Sequence, residues 1–103
     1  MSAPELDRDA VIAARLDPLA KDCFPDNPDV AWSARGVVHH GAYSVVEAEP
    51  SPDEVGYPRF KLVLWFQPGA APVVAGCYCL DAGRWTLLFT SPAAPSDWKS
   101  LPV

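Results

Sequence analysis

The residues best suited to chemistry are two adjacent imidazoles, His39-His40, and two thiols one residue apart, Cys77-x-Cys79. Thiolate and imidazole are good zinc ligands, and paired together they also make a covalent nucleophile. The strong zinc signature, however, is two such pairs at tight-turn spacing. Here the cysteines fall in a strand-like run, and neighbouring histidines on a strand point to opposite faces, so only one imidazole can approach the thiols. A catalytic cysteine also needs a positive neighbour to acidify it, and none is local. Buried, reduced cysteine is the commoner role for such residues. A thiol- or metal-dependent enzyme using Cys77 or Cys79 with His39 or His40 therefore stands as an alternative reading.

Other signs of catalysis are weak. Asp7, Asp9, Asp17, Asp22, Asp26 and Asp29 are spaced as solvated helix and loop charges, not as paired carboxylates. Glu47 and Glu49 flank Ala48 at a strand end, where charge discourages edge pairing. No phosphate-cradling glycine loop, zincin motif or nucleophile elbow occurs, and nothing in the chain calls for a cofactor.

A second constellation is suited to binding. Strand alternation gathers Arg59, Lys61, Trp65, Tyr78 and Arg84 on one sheet face, and Trp98 lies in the tail that follows. Basic groups among aromatics on an open sheet can stack single-stranded bases. The same residue types anchor protein interfaces.

The elements that position these residues follow from periodicity. Residues 3–23 read as helical, with Ser2 and Glu5 at capping-box spacing, Pro4 in the first turn, and Ile12, Leu16, Leu19, Ala20 and Cys23 forming one apolar stripe. Pro18 predicts a break, with Asp17 capping a second short helix. Residues 24–35, with Pro25-Asp26-Asn27-Pro28-Asp29, read as a connector.

Residues 36–90 read as sheet, with four strands at Val37–Ala48, Arg59–Gln67, Val73–Leu80 and Arg84–Thr90. Their short loops predict antiparallel neighbours. A three-residue loop at Asp81-Ala82-Gly83 sets Leu80 opposite Arg84. One apolar layer then contains Phe60, Leu62, Leu64, Phe66, Ala75, Cys77, Cys79, Trp85, Leu87 and Phe89. A two-residue loop through Ala82-Gly83 would turn Trp85, Leu87 and Phe89 outward and lose apolar burial, so the longer loop is preferred. Residues 91–103 form a proline-rich tail.

The expected fold is α+β in a single domain: an N-terminal helix broken near Pro18 and packed on a four-stranded antiparallel meander. The alternative is a small curled β-barrel with the helix as its lid.

Charge and composition narrow the functional classes. The 103 residues carry a net charge of −5, and half of them are hydrophobic, which suits a folded domain better than a disordered chain. Residues 1–54 hold eleven acids and four bases, whereas residues 55–103 hold two acids and four bases. The acidic total disfavours a general nucleic-acid binder. No apolar run approaches the roughly 18 residues that span a bilayer, and no basic-then-apolar leader opens the chain. Three cysteines, an odd number, fit reduced thiols and a cytoplasmic location. The expectation is a small acidic, non-catalytic binding or accessory protein, of inhibitor or immunity type. It would engage a protein partner, or itself as a homodimer, through the outer sheet face.

Overall fold

The computed structural model describes residues 5–51 and 56–103, with side chains from residue 8 onward. The capping pair of Ser2 and Glu5, with Pro4, therefore falls outside what is described. Helix α1 (Glu5–Cys23) is followed by strands β1 (Ala31–His40), β2 (Tyr43–Ser51), β3 (Phe60–Trp65), β4 (Val73–Asp81) and β5 (Arg84–Thr90), and a short 3-10 turn, η1 (Asp97–Ser100). The strands form one antiparallel sheet in the order β1-β2-β3-β4-β5. The class is α+β as expected, but the sheet has five strands and is open, so neither the four-stranded meander nor the closed barrel describes it.

The fifth strand arises where one was expected. Val37–Ala48 is a hairpin, because Gly41 (φ +59°) takes the first position of a two-residue loop closed by the His40–Tyr43 pair. Glycine at that position is the signature of a turn whose twist matches its flanking strands. Strand β1 also starts inside the expected connector. Its register shifts between Ala34 and Gly36, leaving Arg35 as an extra residue. That bulge reverses the alternation and turns Trp32 toward the helix, where it is buried.

The helix is continuous through Pro18, contrary to the expected break. Pro18 lies on the exposed side, so the carbonyl of Ala14, also exposed, loses its N–H partner where water can replace it. The buried side carries Ile12, Leu16 and Ala20 onto Val46, Ala48, Phe60, Leu62, Leu64, Cys77 and Cys79. Asp17 does not cap a second helix; its Oδ1 accepts the Trp32 backbone N–H at 2.9 Å, and its Oδ2 pairs with Lys21 at 3.0 Å.

The other face of the sheet is also covered. Tyr43, Val45, Val63, Ala75 and Tyr78 form a second core closed by Trp98, which is 1% exposed. The β3–β4 register shifts after Val63, leaving Ala75 extra and seating it beside Gly76 on this side. Gly76 is required: a Cβ there would overlap the Trp98 ring and stand 3.1 Å from the Phe89 carbonyl oxygen. The tail is thus the second layer over the sheet. No helix among the described residues is long and apolar enough to cross a membrane.

Candidate functional site

The chemical constellation does not assemble. Cys77 lies in one row with Leu62, Val46 and Val37, so β1, which carries both histidines, is three strand spacings away, roughly 14 Å. Cys77 and Cys79 are 0% and 2% exposed. Burial pushes the Cys77 thiol well above its ordinary range, and burial, with Asp22 adding to it, raises half-buried Cys23 to about 11. Each change disfavours a thiolate.

His39 is used elsewhere, in an arrangement the sequence reading missed. Its Nδ1 lies 2.7 Å from Ser44 Oγ and its Nε2 2.7 Å from Asp9 Oδ1. Asp, His and Ser in a chain resemble a hydrolytic relay, but Ser44 is fully buried while Asp9 is exposed. A nucleophile must meet its substrate, and here the hydroxyl faces the core. The relay instead ties α1 to the β1–β2 hairpin. Next to it, Arg8 donates to the Tyr43 carbonyl at 3.5 Å and lies 4.9 Å over the Phe66 ring. The spacing of β1 and β2 about Gly41 was the available signal, since it sets His39 opposite Ser44.

The binding set is dispersed in part. Arg59 pairs with Glu47 at 3.0 Å, and Lys61 sits 4.5 Å over the Trp85 ring on the same face. Glu47 and Glu49, expected to guard a strand edge, are on the interior strand β2 and pair with Arg59 and Arg35. Tyr78 is buried edge-on against Trp98 at 6.1 Å, and Trp65 packs half-buried in the same cluster. Trp98 is therefore a core residue and not an exposed anchor. Tyr43 is bound to the tail through a 2.5 Å hydrogen bond to Asp97, and burial together with that carboxylate raises its hydroxyl to about 12.

Arg84 belongs to the opposite face. The β4–β5 loop has two residues, Ala82 (φ +51°) and Gly83 (φ +79°), closed by the Asp81–Arg84 pair. Both φ values are positive, which gives the primed turn that suits a hairpin. The shorter loop sets Leu80 opposite Trp85 and Tyr78 opposite Leu87, so Trp85 and Leu87 leave the helix-side layer. A bulge at Leu88 then returns Phe89 to that layer beside Cys77. Ala75 and Trp85 belong to the tail-side cluster, whereas Phe60, Leu62, Leu64, Phe66, Cys77, Cys79 and Phe89 hold the expected side.

Among the described residues, what remains open is the outer edge of β5. Its burial pattern is mostly exposed, with Leu87 44% and Leu88 39% exposed. By the alternation of an antiparallel ladder, Trp85 and Leu87 turn their N–H and C=O away from β4. At the far end of this strand a cleft of about 390 Å³ is lined by Leu19, Asp22, Cys23, Phe89 and Ser91, among others. On the opposite edge, the Trp32 N–H of β1 is taken by Asp17. No protein-family model, curated protein or solved structure matches the chain.

Proposed function

We propose that this protein is a non-catalytic binding module that takes an extended polypeptide segment as an added strand on β5. The observation that carries the reading is an edge strand with unpaired backbone groups and two exposed leucines, free of proline, lysine or glutamate. Edges of that kind are normally blunted, and one left open invites strand addition. The aromatic and basic groups of the outer face act mainly within the fold, which moves the binding surface from the face to the edge. The sealed Ser44 hydroxyl and the buried thiols weigh against catalysis.

The test is a selection of displayed random peptides on the wild-type chain, counter-selected on Leu87→Lys, whose charge blocks an edge without removing core. Enriched peptides of extended, alternating apolar character that bind only the wild type are expected. Failure of the chain, held dilute enough to be monomeric, to enrich any peptide, or peptides that bind both proteins equally, would overturn the proposal.

A further inference from the structure

The β5 edge is complementary to itself. Arg84, Thr86, Phe89 and Ser91 face the helix side, whereas Trp85, Leu87 and Thr90 face the tail side, with Leu88 as the extra residue of the bulge. An unbroken strand could not match residues whose numbers sum to an odd value, because opposite residues must share a face. The bulge removes that restriction. About the midpoint between Leu87 and Leu88, the bulge makes the face pattern symmetric for the three flanking pairs, Thr86 with Phe89, Trp85 with Thr90 and Arg84 with Ser91.

We infer that the occupant of the β5 edge is the β5 edge of a second copy, joined antiparallel about a two-fold axis normal to the sheet. This rests on the strand-addition reading above. Each Leu87 then lies opposite Leu88 of the other copy, Trp85 opposite Thr90, Thr86 opposite Phe89 and Arg84 opposite Ser91. The two sheets become one sheet of ten strands, and four exposed leucines meet at the axis.

Charge supplies an independent argument for a second copy. Asp22 lines the cleft beside Ser91. Among the described residues neither Asp22 nor Arg84 makes an ion pair. Self-pairing carries Arg84 of each copy to the mouth of the other copy's cleft, on the helix side and toward Asp22. It also holds the two Arg84 residues apart at opposite ends of the paired strands. A parallel arrangement would bring them together.

Sedimentation of the full chain across a micromolar concentration series tests the pairing. A reversible rise to twice the 11.1 kDa monomer mass is expected. Asp22→Arg and Arg84→Asp, both surface changes, should each raise the dissociation constant on the order of tenfold, and the double exchange should restore it. A chain that stays monomeric throughout the series would overturn the dimer, as would a dimer indifferent to both reversals. If the monomeric chain still selects peptides that Leu87→Lys rejects, self-pairing fails while strand addition stands. If it selects none, both fail.

Discussion

At the residue scale, two side chains, Trp98 and Asp17, do work that their types do not announce. Trp98 fills the groove over Gly76 and closes the second core. Trp98→Ala should lower stability by about 3–5 kcal/mol in urea unfolding, the usual range for removing a buried aromatic. Gly76→Ala should lower it as well, by displacing the same ring. Asp17 holds the Trp32 N–H, and that hydrogen bond, with Lys21 as second partner, keeps its carboxyl below the usual carboxylate range. A carboxyl with a lowered folded-state value stabilises the fold above its unfolded value near 3.8 and loses that contribution as pH falls through the folded value. Protection of the Trp32 amide from exchange should therefore fall as pH drops below about 4. In Asp17→Asn the same amide should show no such step. The thiols give a third check: Cys77 and Cys79 should resist alkylation in the native chain and react only on denaturation, with Cys23 slow. Rapid labelling of either buried thiol would contradict the packing. The core-side placement of Cys77 and Cys79 is legible in the sequence, because period-2 alternation in a long apolar run is a local signal. The burial of Trp98 is not, since nothing in Ser96-Asp97-Trp98-Lys99 shows where the tail folds back.

At the scale of elements, turns and bulges decided which side chains share a face. A three-residue loop at Asp81-Ala82-Gly83 buries more apolar area in the strand pattern, yet the chain uses the shorter loop and regains the burial of Phe89 with one bulge at Leu88. Ala82 bears the cost, since a non-glycine residue at φ +51° is strained. Ala82→Gly or Ala82→Asn should stabilise the protein by about 0.5–1 kcal/mol, read as a higher denaturation midpoint with unchanged m-value. Loss of stability in both would argue against the two-residue turn. The β1–β2 hairpin shows a similar limit. The run Val37–Ala48 reads as one strand and residues 24–35 as a connector, whereas the chain turns at Gly41 and Arg35 is a bulge within a strand. Bulges leave little trace in one sequence, because their signature is a pairing with residues far along the chain.

At the scale of the whole molecule, the fold is a sheet with a layer on each side and unequal edges. The Trp32 N–H at the β1 edge is held by Asp17 of α1, whereas Trp85 and Leu87 at the β5 edge have no such partner among the described residues, and that difference underlies both the strand-addition reading and the paired copies. The tail layer has its own pH dependence. Folding raises the Tyr43 hydroxyl to about 12 from 10, so its contribution is complete below pH 10 and is lost as pH rises toward 12. Resonances of Trp98 and Ala75 should shift together across that window, and Asp97→Asn should move the transition. The amino-acid sequence alone determined the α+β class, the amphipathic helix, the antiparallel neighbours and the helix-side core around Phe60, Leu62 and Leu64. All of these rest on periodicity between residues close in the chain. Tertiary structure alone decided that the helix runs through Pro18, that the tail closes the outer face, that His39 joins Asp9 to Ser44, and that β5 lies at the edge of the sheet. Each of those depends on which distant segment covers which surface, and burial against a distant segment can outweigh local preference while leaving no local pattern.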